Sequence, residues 1–399
     1  MNKFKWPLNI NNATWLDRLR ICSFILNPNN RWTADRYVSK FEEEMAAFVG
    51  VKYAVFTSSG SSANSILAAY LKDKIIKEKS SRHIVVLPST TWQTACSPYI
   101  REGFIPHFID VNLNNFSMDL LLLANYLNAN HEKVACVFIT SLLGFNPDIS
   151  KILELQGIFH EITFYIDNCE HNFGHFDARN IKSPFVITST TSTYFGHMLS
   201  SIEGGFIFTN NLEEYEKFLM YRNHGMTRTL PNESREKYTN PKVDSRFDFY
   251  CLGNNYRNSD LNAFIGLLDF NKRFAYIKKR RELYGVFQYN LNRDRYVLPE
   301  DSVQKNLSWF VPFCLPVIAI GSNAGKRIKL AKIYCIENGI ETRPIISGFL
   351  GHQTAYRNLL NEKDHSISVY LHENGFYVGL YSKLKKRNIF KLVNYLNKI

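Results

Sequence analysis

The chain lacks most of the features that would place it in a simple class. Its seven cysteines (Cys22, Cys96, Cys136, Cys169, Cys251, Cys314 and Cys335) show no CxxC pair and no clustered spacing. Neither a disulfide framework nor a zinc or iron–sulfur site is therefore expected. No run reaches the roughly 18 to 20 apolar residues that a membrane-spanning helix needs. The amino-terminal stretch MNKFKWPLNINNATW has no unbroken apolar core of the signal-peptide kind. The expectation is a cytoplasmic protein with no membrane partner and no metal. Low-complexity linkers and internal repeats are also missing. A last absence is more pointed: no lysine lies between Lys182 and Lys217.

At 399 residues the chain can form one large and one smaller domain, since domains commonly hold roughly 100 to 200 residues. The formal charge is +12, which raises the question of nucleic acid, an anionic membrane or anionic small molecules as partners. Basic residues concentrate in KKRREL (278–283) and in the tail KLKKRNIFKLVNYLNKI, with apolar residues between them at helical spacing. These segments read as solvated helix faces. No module interleaves basic residues with base-stacking aromatics, so no nucleic-acid partner is expected.

Near-continuous hydrophobic runs recur at 53–58, 83–89, 105–111, 134–141, 162–168, 185–192 and 204–210. Such runs suit strands buried on both faces of a mostly parallel sheet. The segment SANSILAAYLKDKIIKEK between the first two has the apolar spacing of a covering helix. The fold class expected is α/β, with a large domain over residues 1–270, amino-terminal segment included, and a smaller α+β domain over 271–399. The smaller one begins with a helix around YIKKRRELYGVFQYNL, continues through WFVPFCLPVI and ends in a helix.

Ligands of α/β sheets bind at the carboxyl ends of strands, so the polar residues there come next. The first run leads into SSGSSANS, where amides at Gly60, Ser61 and Ser62 could face an anion at a helix start; an ordinary N-cap explains the same residues. The second leads into PSTTWQT, placing Trp92 above that turn unless it is a core residue. The fifth ends in IDNCE. A carboxylate at Asp167 needs a cation, such as a protonated pyridine nitrogen, or else serves as an N-cap or in a salt bridge. Finally TSTYFGHMLSSIEGGFIFTN carries His197 ahead of Glu-Gly-Gly.

In that order, these segments resemble the sugar aminotransferase family that acts on nucleotide-linked keto sugars, along nearly the whole chain. HGMTRTLP (224–231), ETRPIISG (341–348) and NGFYVG (374–379) add to the likeness. The resemblance implies a pyridoxal-phosphate fold of the aspartate aminotransferase type. It implies phosphate contacts from Gly60, Ser61 and Ser192, Trp92 stacked on the pyridine ring, Asp167 paired with the ring nitrogen, and Glu170 on the ring-hydroxyl side. It further implies that Asn255 reaches the cofactor of a neighbouring subunit, which makes a homodimer the working unit. Arg343 would receive an anionic part of the substrate, with Glu341 shaping the same pocket.

In this family the segment before Glu-Gly-Gly carries the lysine that binds the cofactor covalently; here that place holds His197. Imidazole forms no stable imine but moves protons near neutral pH. The substitution is similar to that of the family's 3-dehydratase branch. What it implies is a non-covalent pyridoxal or pyridoxamine phosphate, L-glutamate as amino donor, and loss of the C3 hydroxyl from a 4-keto-6-deoxy sugar destined for surface polysaccharide. The substrate implied is GDP-linked, a 6-deoxymannose or a 6-deoxyheptose. Met198 and the segments GFNPD and VGLYSKL depart from the branch pattern and leave the sugar open. Two further readings stand beside this one: an aminotransferase that returns an amino sugar, and a catalytically silent cofactor-binding relative. An iron–sulfur variant is not expected, because Cys251 has no neighbouring thiol.

Overall fold

The computed structural model describes residues 4–171, 186–299 and 310–399. Phe185 and Trp309, at the start of two expected strands, lie outside them. Seven strands form the first sheet: β1 (Tyr53–Thr57), β2 (Ile84–Pro88), β3 (Ile105–Ile109), β4 (Val134–Thr140), β5 (Thr163–Asp167), β6 (Ser189–Ser192) and β7 (Gly205–Thr209). Their spatial order is β1-β7-β6-β5-β4-β2-β3. All neighbours are parallel except β7, which runs antiparallel to both β1 and β6. The carboxyl ends of β1, β2, β4, β5 and β6 consequently meet at one edge, and the amino end of β7 joins them there.

The continuous apolar runs follow from coverage on both faces. In β4, Cys136 and Phe138 pack into one cluster with Leu67, Tyr99 and Tyr165. The alternate residues Val137 and Ile139 pack into another with Ile152, Phe164 and Ile166. Successive side chains point to opposite faces, so a strand covered on both sides needs an apolar residue at every position. The helix Gly60–Lys77 supplies part of one cover through Ile66, Leu67 and Leu71.

A second, four-stranded antiparallel sheet has the order β10-β11-β9-β8, with β8 Tyr296–Val297, β9 Cys314–Ala319, β10 Thr342–Arg343 and β11 Gly375–Gly379. Helices Arg273–Asn290, Ala324–Glu337 and Lys386–Leu396 share its core through Leu283, Ile328 and Leu392. The amino-terminal segment belongs to this core as well. Trp6 is buried, forms a parallel bridge with Ile340, and donates its indole N–H to the Gly379 carbonyl at 2.8 Å. Among the described residues, no helix is long and apolar enough to cross a membrane.

Candidate active site

The shared strand edge gathers the candidate residues. Ser59, just after β1, caps the helix Gly60–Lys77 in a reciprocal capping box with Ser62. The Ser62 amide is therefore occupied, bonding Ser59 Oγ at 3.0 Å. Gly60 and Ser61 are first-turn residues whose amides have no carbonyl within the helix to bond. The space above them is tight. A Cβ on Gly60 would come within 2.8 Å of Cys169 Sγ and 3.0 Å of Ser192 Cβ, and one on Gly205 within 2.4 Å of the Gly60 nitrogen. Glycine at 60 and 205 lets the helix start sit directly against the ends of β5, β6 and β7. Of the three amides expected in the cradle, two are available to an anion.

Trp92 follows β2 and heads a short turn at Gln93–Ala95. Ser61 Oγ donates to Thr94 Oγ1 at 3.1 Å, which ties this turn to the cradle. Trp92 is 59 % exposed, so the core alternative for it is excluded. Asp167 ends β5 and is 7 % exposed. Its Oδ1 accepts the Cys169 amide at 2.9 Å and its Oδ2 accepts Asn64 Nδ2 at 2.9 Å. Asn64 is itself oriented by Thr190, which donates to its Oδ1 at 2.6 Å. Among the described residues no lysine, arginine or histidine nitrogen lies within 4.0 Å of the Asp167 carboxylate. A buried carboxylate held by two neutral donors retains capacity for a cationic partner.

His197 sits on the loop between β6 and β7, half-buried. Its Nδ1 lies 2.6 Å from the Cys169 carbonyl oxygen. A carbonyl only accepts, so Nδ1 carries the proton and Nε2 keeps its lone pair. Burial lowers the imidazole pKa below its ordinary value of 6.5, with the Cys169 bond and Asp167 partly opposing. The ring is thus neutral and basic at neutral pH. Phe313 packs on it with centroids 5.5 Å apart, and Tyr194 meets it edge-on.

Phe313 is fixed from behind by a residue assigned to solvent in the sequence reading. Arg280, of KKRREL, is buried and donates to the carbonyls of Pro312 (3.2 Å) and Phe313 (2.9 Å); Arg281 donates to Phe310 O at 2.7 Å. The expectation of a wholly solvated basic face is corrected on this point. Arg280 lies on the helical stripe of Tyr276, Ile277, Leu283, Tyr284 and Phe287, which faces the core. Burial brings its guanidinium pKa down to about 10.

Glu170 accepts the Leu143 amide at 2.7 Å. Desolvation, together with the charge of Asp167, pushes its pKa up to about 8 from an ordinary 4.5. The folded chain holds that proton across a range where the unfolded chain has released it. The contribution to stability is complete below about pH 4.5 and is lost as pH rises through about 8. Glu170→Gln, which keeps the acceptor for Leu143, is expected to raise Tm by a few degrees without added cofactor. Calorimetry should show a larger gain at pH 8 than at pH 5.

Arg343 pairs in register with Tyr377 on β11, and Tyr377 meets Phe313 edge-on at 6.3 Å. An aromatic path therefore leads from Arg343 to His197. Arg343 is exposed and donates to Glu341 Oε1 at 3.0 Å, while Glu341 Oε2 accepts the Leu8 amide at 3.0 Å. Ser192 ends β6 opposite Gly205 and accepts the Tyr194 amide at 3.2 Å. Asn255 stands apart, lining a cavity of about 380 Å³ with Thr33, Ser58, Glu203 and Arg257. Next to it, a cavity of about 620 Å³ is lined by Arg31, Arg36, Arg222, Arg228 and Arg257 together with Asp35 and Glu42, and Glu42 is paired with Arg222. Sequence reasoning did not anticipate this arginine cluster, although HGMTRTLP contains one of its members. Among the described residues no group of three potential metal ligands occurs.

The chain is 29 % identical to the GDP-4-keto-6-deoxy-D-mannose 3-dehydratase of Yersinia pseudotuberculosis, across 100 % of both chains. It is 27 % identical to the enzyme of the same name from Escherichia coli O55:H7, across 97 % of each. The solved E. coli GDP-4-keto-6-deoxy-D-mannose-3-dehydratase with bound hydrated PLP superposes with a TM-score of 0.86 at 24 % identity, covering 99 % of this chain and 100 % of that one. Helicobacter pylori PseC, an aminotransferase involved in pseudoaminic acid biosynthesis, follows at a TM-score of 0.80 and 17 % identity, covering 100 % and 99 %. These superpositions show an aminotransferase-like fold. The DegT/DnrJ/EryC1/StrS aminotransferase family model matches residues 24–397, and the chain belongs to that family.

Proposed function

We propose that the chain is a pyridoxal-phosphate-dependent 3-dehydratase of a nucleotide-linked 4-keto-6-deoxy sugar, GDP-linked as with the named relatives, with L-glutamate as amino donor. The observation that carries this reading is His197, a neutral imidazole with its free Nε2 where the family's lysine would stand. The residues around it fit the cofactor. Asp167 would hold a protonated ring nitrogen, since its buried carboxylate has hydrogen-bond donors but no cation among the described residues. Trp92 would cover a ring face, Gly60, Ser61 and Ser192 would hold the phosphate, and Glu170 would stand on the ring-hydroxyl side. When bound, the cofactor supplies an electron-withdrawing ring that eases proton loss from a carbon beside the amino group and departure of the sugar's C3 hydroxyl.

The chain's own residues do the rest. His197 moves a proton at Nε2, while Cys169 keeps the ring in the productive tautomer. With His197 in the place of the family's lysine, water rather than a side-chain amine would set the sugar free, and the nitrogen taken from glutamate would leave as ammonia. The product is a 4-keto-3,6-dideoxy sugar for surface polysaccharide; glutamate is oxidised to the 2-keto acid and the C3 oxygen leaves as water. Arg343 would receive a carboxylate or another anionic group. The arginine cavity suits the nucleotide's diphosphate, since guanidinium forks match phosphate oxygens.

A cytoplasmic homodimer is the working unit of this reading. It would bring Asn255 and the neighbouring Arg257 toward a partner's site. It would also cover apolar side chains that the single chain leaves exposed, among them Trp15 at 73 % and Leu252 at 94 %. The hexose or heptose identity of the sugar and the nucleotide base are best fixed by mass spectrometry of products from GDP- and CDP-linked 4-keto sugars.

The first test is incubation with pyridoxal phosphate, glutamate and a GDP-4-keto-6-deoxy sugar. Release of ammonia with a product lighter by one oxygen is expected. A stable amino sugar would favour the aminotransferase reading, and an unchanged absorbance on adding glutamate a silent relative. Borohydride treatment of the cofactor-loaded protein is expected to leave every lysine unmodified in the peptide mass map, against full labelling for a lysine-tethered relative.

A further inference from the structure

We infer that the amino-terminal strap, Trp6 to Asn9, positions the loop that carries His197, and that Asn9 is its contact residue. The strap is fastened at one end to the second sheet. The Trp6 amide donates to Gly339 O at 3.0 Å, the Glu341 amide donates to Trp6 O at 2.9 Å, and the Leu8 amide reaches Glu341 Oε2 at 3.0 Å. Gly379 permits this close course, since a Cβ there would lie 2.4 Å from the carbonyl oxygens of both Pro7 and Leu8.

At its other end the strap crosses to the first sheet. Asn9 Nδ2 donates to the carbonyls of Phe195 and His197, each at 2.9 Å. Both amide hydrogens are thereby used on carbonyls flanking the turn that His197 closes through its own amide to Tyr194 O at 2.9 Å. Asn9 Oδ1 is buried with no hydrogen-bond partner, so the side chain is held through its donors. The reversed amide would set Oδ1 against two carbonyl oxygens. From inside, the loop is held by His197 Nδ1 on Cys169 O; from outside, by Asn9. The two attachments together fix where Nε2 points. Because Leu8 and Arg343 share Glu341, the same strap joins the expected anion-binding arginine to the loop of the base.

The positioning role is independent of the reaction, whereas its catalytic consequence rests on the proposed dehydration. The test uses the full chain labelled with 15N-histidine, comparing the parent with Asn9→Ala and the isosteric Asn9→Asp, neither of which can donate to the two carbonyls. The His197 Nδ1 proton is expected to exchange with water at least tenfold faster in both variants, with Tm within a few degrees of the parent. In the loaded enzyme kcat should fall about tenfold while KM for the sugar stays within twofold. An unchanged His197 ring signal in a folded variant overturns the proposal. Should Asn9→Ala fail to fold, the same spectrum of Asn9→Asp decides. Faster ring exchange in a protein that dehydrates no sugar supports the strap and refutes only the proposed function.

Discussion

His197→Asn is expected to lower kcat for sugar dehydration by about 10³-fold, within the 10² to 10⁴ that a positioned general base commonly contributes. Asparagine is chosen because its amide can still donate to the Cys169 carbonyl, leaving the loop and the cofactor pocket intact. What disappears is the basic lone pair at Nε2. Cofactor affinity, followed by absorbance, should therefore stay within a few-fold of the parent. The pH dependence gives an independent check. Burial holds the His197 pKa below 6.5, so the base is competent above that value and is lost as pH falls through it. The parent should show an acidic limb in kcat below pH 6.5, and the residual activity of the variant should lack that limb. Equal kcat values for parent and variant would remove the base from the mechanism altogether.

Much of this site was readable before the structure, for identifiable reasons. The strands announce themselves because β4 and its neighbours are covered on both faces, leaving no room for polar residues except at their ends. Polar residues such as Asp167 at those ends are then conspicuous. The lysine-free interval around His197 is a covalent fact about the chain that needs no geometry. The direction of β7 was not legible, because a strand buried on both faces looks alike whichever way it runs. Arg280 was misread since a local charge count cannot tell which face of the helix Arg273–Asn290 meets the core. The arginine cavity draws on Arg31, Arg36, Arg222, Arg228 and Arg257, which lie in three separate segments, and only tertiary folding brings them together. The strap from Trp6 to Asn9 escaped notice for a similar reason: its partners lie at 195–197, 339–341 and 379, far along the chain.

Asp167→Asn is the second substitution with a large expected effect, and it acts through both the fold and the chemistry. The Asp167 carboxylate accepts from two fixed donors, the Cys169 amide and Asn64 Nδ2. An asparagine offers one oxygen, so its NH2 must face one of those donors. Asn64 cannot turn round, because its Nδ2 also donates to the Thr94 carbonyl at 3.2 Å, and the reversed amide would set its oxygen against that carbonyl. One buried donor is left unmatched, at a cost of about 1–3 kcal/mol. The cofactor loses more, because the carboxylate is the group that would keep the pyridine nitrogen protonated. An ion-paired hydrogen bond of this kind contributes about 1.5–3 kcal/mol, which corresponds to roughly a ten- to hundredfold weaker affinity. A fall in kcat of about 10²-fold or more is expected alongside, since removing one electrostatic partner from a preorganised site commonly costs that much. Calorimetry, absorbance titration and ammonia release measure the three effects separately. The unliganded fold should weaken even if the reaction is something else, whereas cofactor affinity and kcat within twofold of the parent would show that no pyridinium sits against Asp167.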